Sequence, residues 1–243
     1  MEIYFKKIYK KQYNEFIGEL KTSIEKEEKK FIITANPETF MMGVKYPEFD
    51  NVLKKEYTVI VPDGIGIVKA ANILGISMED RITGVEICEE LLDILNQEKK
   101  SLYLFGAKKE VLETLCRVVE VKYPNINLMG CSDGYVQDKA QVMEDALLKK
   151  PDVMLVALGI PEQEILIDKY YDKFEKGIFM GVGGSFDVLS GTKKRAPKFF
   201  IKYHLEWLYR IIKEPKRFKR FYLSNIKFIR EVYTLKKKVE NEI

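Results

Sequence analysis

A chain of 243 residues, 46% hydrophobic and 32% charged, has enough apolar side chains for a sizeable core and is too apolar for disorder. Its longest uninterrupted apolar stretch, Val153 to Ile160, is too short to span a bilayer, and the opening residues MEIYFKKIYKKQY lack the apolar run of a signal peptide, so a cytoplasmic chain is expected. The net charge of +4 is uneven: residues 192–243 hold 16 Lys and Arg against 5 Asp and Glu, a balance of +11, while residues 1–191 carry −7.

In chain order, β-branched and apolar runs predict strands at Phe31–Thr34, Thr58–Val61, Leu102–Phe105, Asn127–Gly130, Val153–Ala157 and Ile178–Val182. Between them lie amphipathic segments such as Glu110–Val121, Lys139–Leu148 and Gln163–Phe174. This alternation predicts an α/β fold, a Rossmann-like, mostly parallel sheet with helices on both faces. After Gly191 only helical patterns remain. Lys198–Lys213 reads as one helix, Glu214-Pro215 as a break, and a second basic helix runs from about Pro215 toward Lys238. The expected division is a body at 1–191 and a basic, aromatic helical appendage at 192–243, which holds 10 of the 29 aromatic residues.

Ligands of open α/β sheets bind beyond the carboxyl ends of the strands, and here those ends are polar and glycine-rich: TANPE, PDGIG, FGAK, CSDGY, LGIPEQE and GVGGSFD. Asp63 at the end of the second strand is a candidate general base, although Asp-Gly before a helix also reads as a turn or N-cap. Thr34 and Asn36 share that ambiguity, Asn36 being placed to cap a helix that starts at Pro37. Gln163 reads as a first-turn residue and Arg81 as a surface ion pair or a ligand clamp. Gly181, Gly183 and Gly184 let a backbone approach a phosphate or serve only tight turns. Neither GIGIVK nor GVGGSF completes GxGxxG, which disfavours a nucleotide-dependent oxidoreductase, and there is no GxxxxGK[ST].

Cys88, Cys116 and Cys131 lack CxxC spacing, so buried small hydrophobes are expected rather than a zinc site or disulfides. His204 is the only histidine, which excludes multi-histidine metal sites; acid–base chemistry falls to a carboxylate. In the appendage Arg210, Lys213, Arg217 and Arg220 recur at spacings of three and four, one face of a helix if Pro215 does not interrupt it. A one-signed, aromatic-rich segment of this kind fits an anionic surface or diphosphate oxygens. A nucleic-acid-binding module would explain the tail but not the polar loop at every strand end.

Taken together, TANPE (34–38), PDG (62–64), RITG (81–84), FGAK (105–108), GIPEQE (159–164), GVGGSFDVLSGTKKRAP (181–197), LEWLYR (205–210) and EPKRFKR (214–220) resemble the WecG/TagA/CpsF family of glycosyltransferases over most of the chain. CSDGY departs from a more usual glycine-rich lead, and His204 stands where glycine is common. The resemblance implies an inverting, metal-independent transferase without cofactor. Its donor would be a UDP-sugar of the N-acetylmannosamine type and its acceptor undecaprenyl-diphosphate-linked N-acetylglucosamine, as in the wall teichoic acid linkage unit or related capsular and exopolysaccharide intermediates. On that footing Asp63 is the base and GVGGSFD receives the nucleotide diphosphate, with Asp187 near the uracil and Tyr135 as a stacking platform. Thr34, Asn36, Arg81 and Gln163 position sugar and acceptor, and Arg210, Arg217 or Arg220 offsets the diphosphate charge. The enzyme would sit on the inner face of the plasma membrane, against anionic lipid, with a homo-oligomer left open and no nucleic acid bound.

Overall fold

The six runs form strands β1 (Lys29–Ala35), β2 (Thr58–Pro62), β3 (Ser101–Gly106), β4 (Asn127–Ser132), β5 (Val153–Ala157) and β6 (Gly177–Gly181). They build one sheet, parallel throughout, in the order β2-β1-β6-β5-β3-β4. The computed structural model describes residues 1–78 and 81–241, without the side chains of Arg217, Arg220 and Val239. The expected α/β class is the one observed, and the predicted strands agree with it to within two residues at either end.

Helices α1 (Glu2–Lys7) and α2 (Tyr13–Glu25) precede the sheet, and α3 (Pro37–Lys45) and α4 (Pro47–Lys54) join β1 to β2. Then α5 (Ile65–Ile73) and α6 (Gly84–Gln97) lead to β3, and α7 (Lys109–Lys122), α8 (Lys139–Lys149), α9 (Glu162–Tyr171) and α10 (Ser185–Leu189) each follow the next strand in turn. Because side chains alternate along a strand, Phe31 and Ile33 join a core with Phe5, Phe40 and Phe179, whereas Ile32 joins the opposite core with Leu20, Leu91 and Phe186. Burial on both faces is why the central strands read as continuous apolar runs rather than alternating ones. At the end of β3, Gly106 has φ +119° and a Cβ there would lie 2.4 Å from the Ala157 carbonyl oxygen, so only glycine lets β3 and β5 close up under the loops.

The appendage departs from expectation in one place and shows the expected break at Glu214-Pro215. The single helix predicted over 198–213 is two, α11 (Lys198–Lys202) and α12 (Glu206–Lys213). His204 between them is left-handed at φ +58°, and the chain closes α11 with Leu205 N–H donating to Phe200 O (2.7 Å) and His204 N–H to Ile201 O (3.0 Å). Glu214-Pro215 then separates α12 from α13 (Arg217–Asn241), so Arg210 stands on a different helix from Arg217 and Arg220 and the shared face is lost. α13 lies against α3 and α5, burying Phe228 and Val232 in the core; the Phe228 ring centroid is 6.3 Å from those of both Phe5 and Phe40. Of its remaining aromatic residues, Phe221 is half-buried and stacks on Trp207 (ring centroids 4.8 Å apart), whereas Phe218, Tyr222 and Tyr233 are exposed, as are Phe199 and Tyr203.

Cys88 and Cys116 are buried as expected, but Cys131 is exposed because β4 is an edge strand and lacks a neighbour on one side. Among the described residues no helix is long and apolar enough to cross a membrane.

Candidate active site

β1 and β2 end together, with Ala35 opposite Pro62, and the chain turns there through Asp63 N–H donating to Ala35 O at 2.9 Å. Asp63 does not cap the helix that follows, since Gly64 is the N-cap of α5. Its Oδ1 instead accepts the Gly84 N–H at 3.0 Å, a free first-turn donor of α6. Burial pushes the Asp63 carboxyl above the ordinary aspartate value; Arg210, the Gly84 N–H and Arg81 act in the other direction, while Glu206 adds to the rise. Thr34 stands over the same point: a Cβ at Gly84 would lie 3.3 Å from its Cγ2. Asn36 does cap α3, its Oδ1 accepting the Thr39 N–H at 3.1 Å, so part of its side chain is spent on structure.

The appendage closes over this edge. Arg81 pairs with Glu206 at 2.6 Å, and their side chains are only 10% and 13% exposed, which makes the pair an enclosed bridge between RITG and α12 rather than a surface contact. Arg210 follows Glu206 by four residues and so shares its face of α12, which accounts for its field at Asp63. Further back, Arg195 reaches α6 through Glu86 (2.7 Å) and Glu89 (3.2 Å). Lys193 bridges Asp187 (3.5 Å) and Glu214 (3.2 Å).

The loops after β5 and β6 are joined through Gln163. Its Oε1 accepts N–H groups from Gly159 (2.9 Å) and Gly183 (3.2 Å), and its Nε2 donates to Glu164 Oε1 at 2.7 Å. The Gly183 N–H is therefore engaged with Gln163. Gly181 must be bare, because a Cβ there would lie 2.5 Å from Gln163 Nε2 and 2.6 Å from Glu164 Oε1. Gly184 is the N-cap of α10, which carries Asp187 in its first turn. Glu164 is fully buried, its Oε2 has no hydrogen-bond partner, and burial pushes its carboxyl up to about 7.

The structure thus brings Thr34, Asn36, Asp63, Arg81 and Arg210 to the β1–β2 end of the carboxyl edge. Gln163, Gly181, Gly183, Gly184 and Asp187 gather at the β5–β6 loops. Tyr135 is not among them: it follows β4, five strand spacings from β2 or about 24 Å, and is strongly exposed. The side chains of Arg217 and Arg220 lie outside the described residues. Sequence reasoning missed Glu206, Arg195 and Glu164; the four-residue spacing in LEWLYR is the one local signal for the first, while the other two act through partners remote in the chain or through burial. Among the described residues no three His, Cys, Asp or Glu side chains gather as a metal site.

The glycosyl transferase WecG/TagA/CpsF family model matches residues 1–242. Three curated relatives share one name, N-acetylglucosaminyldiphosphoundecaprenol N-acetyl-beta-D-mannosaminyltransferase. That of Bacillus spizizenii is 40% identical over 218 residues, 89% of this chain and 84% of the relative. That of Bacillus subtilis (strain 168) is 42% identical over 189 residues, 78% and 73% of the two chains. That of Staphylococcus aureus (strain MW2) is 35% identical over 211 residues, 86% and 82%.

Proposed function

Because the chain belongs to the WecG/TagA/CpsF family of glycosyltransferases, we propose that it moves N-acetylmannosamine from UDP-N-acetylmannosamine to undecaprenyl-diphosphate-N-acetylglucosamine; the names of its relatives state that sugar and that acceptor for them. The observation that carries the reading is the half-buried Asp63 carboxyl at the carboxyl edge, held by a helix N–H and lying in the field of Arg210 and Arg81.

Asp63 accepts the proton of the acceptor hydroxyl as that oxygen bonds to the anomeric carbon. The bond from this carbon to the UDP oxygen breaks with its electron pair, and attack from the face opposite UDP inverts the centre. A carboxyl raised by burial is a better proton acceptor than an exposed one, and the nearby arginines act against that rise. Arg210, with Arg217 and Arg220, offsets the charge that develops on the diphosphate, which removes the need for a metal ion. Thr34, Asn36 and Arg81 orient the reacting groups. Gly184 and Asp187 lie along the path of the nucleotide toward β6, and Tyr135 serves only the end of the donor farthest from Asp63. The exposed aromatic residues and the +11 charge of the appendage seat the enzyme on an anionic leaflet, where each basic residue near the surface contributes about 1 kcal/mol.

The test is UDP release across a panel of UDP-sugars with a lipid-diphosphate-N-acetylglucosamine analogue, run with and without EDTA. UDP-N-acetylmannosamine should turn over best and survive chelation. Preference for another UDP-sugar would place the chain in a different polymer route, and loss of turnover restored by Mg²⁺ or Mn²⁺ would end the arginine account of the leaving group.

A further inference from the structure

Gln163 joins the loops after β5 and β6, and its neighbour Glu164 has no part in the mechanism above. Glu164 is 1% exposed in the first turn of α9, a position where a carboxylate normally faces solvent and the helix N-terminus. Here it is turned inward beneath β6, and the missing side chain of Gly181 makes room for it. One of its oxygens takes an amide hydrogen of Gln163 and the other has no partner, an expensive arrangement for a buried carboxyl.

The amide of Gln163 has two orientations, and only one is compatible with its surroundings. With Oε1 toward Gly159 and Gly183, two backbone N–H groups find an acceptor and Nε2 meets a carboxyl oxygen. In the other orientation an NH₂ group would face two N–H donors and an amide oxygen would face the carboxyl. Glu164 and the two N–H groups together therefore fix which end of the amide ties the β5–α9 loop to the β6–α10 loop.

We propose that Glu164 is a positioning residue: by holding Gln163 Nε2 it fixes the separation of the Gly159 and Gly183 loops that receive the nucleotide-sugar. That this ligand is a nucleotide-sugar rests on the function proposed above; the coupling of the two loops does not. Glu164→Leu fills the same space without an acceptor, and Glu164→Asp withdraws the carboxyl by one methylene. Both are expected to lower kcat/KM for the donor by about 10²-fold, the cost of an ångström-scale misplacement, and to speed amide exchange at Gly159 and Gly183. Glu164→Gln keeps an acceptor for Gln163 and should restore both properties. In a Gln163→Ala background Glu164→Leu should have no further effect, because it acts through Gln163.

Wild-type turnover and exchange in folded Glu164→Leu or Glu164→Asp would overturn the proposal, as would an additional loss in the double variant or a slow, loosened Glu164→Gln. If the wild-type protein transfers no sugar from any UDP donor, the functional reading fails alone, since the exchange measurement still decides the role of Glu164.

Discussion

Replacing Phe228 by alanine tests whether the appendage is part of the folded body. Phe228 is 2% exposed, on α13, with its ring beside Phe5 from α1 and Phe40 from α3, so the substitution empties a phenyl-sized volume between three helices. Core Phe→Ala changes cost about 3–5 kcal/mol, against a total stability of about 5–15 kcal/mol for a domain. For a protein of this length each kcal/mol moves Tm by about 2–4 °C, so a fall of roughly 10 °C is expected. Thermal melts followed by circular dichroism measure it. Phe218→Ala is the control, because Phe218 is exposed: it should stay within about 0.5 kcal/mol of wild type and instead weaken binding to anionic liposomes. A Phe228→Ala shift below about 2 °C would refute the docking of α13. If the shift is as large as expected, deletion of residues 192–243 will strip a wall from the Phe5–Phe40 core, and the fragment 1–191 should melt lower and over a broader range than the full chain.

Four further outcomes are expected. Asp63→Asn keeps an oxygen for the Gly84 N–H and should retain UDP binding while kcat falls by about 10²-fold or more, measured by UDP release. Since Asp63 must be ionised to act, turnover should rise with pH through a limb above the ordinary aspartate range; Arg210 lowers that carboxyl's pKa, so Arg210→Gln should move the limb to higher pH as well as lower the plateau. Glu164, raised from 4.5 to about 7, stabilises the fold fully only below pH 4.5, and this contribution is lost as pH rises to about 7; Glu164→Gln should therefore be the more stable protein at pH 8, by up to about 3 kcal/mol in urea titrations, with the advantage vanishing toward pH 4.5. His204→Gly should add about 0.5–1 kcal/mol in the same titrations, because His204 holds a left-handed backbone at which glycine carries no Cβ penalty.

The order and kind of the elements were legible in the sequence because strand and helix periodicities are local. Phe31–Thr34 and Val153–Ala157 advertise themselves by β-branched and aromatic runs of strand length, and the polar segments after them, TANPE and LGIPEQE, mark the carboxyl edge of the sheet. The same locality misled at 198–213, where apolar spacing continues through His204 and only the backbone sign at that residue breaks the helix. Composition identified a basic, aromatic tail but carried no information on which of its rings turn inward: Phe228 and Tyr222 look alike in a charged helix, and only contact with Phe5 and Phe40 separates them.

The sequence by itself determined the α/β class, the family resemblance and the set of polar loops. Tertiary structure decided what those loops do together. Strand order places the Tyr135 loop at the opposite border of the sheet from Asp63, although both follow strands and both looked like site residues. Asp63 with Gly84, Arg81 with Glu206 and Gln163 with Gly183 join positions 20 to 125 residues apart, each with its own local reading as a turn, a surface charge or a helix start. Such pairs are set by sheet topology and by the desolvation of groups folded against one another, so the raised carboxyls of Asp63 and Glu164 belong to the assembled edge and not to any segment of the chain.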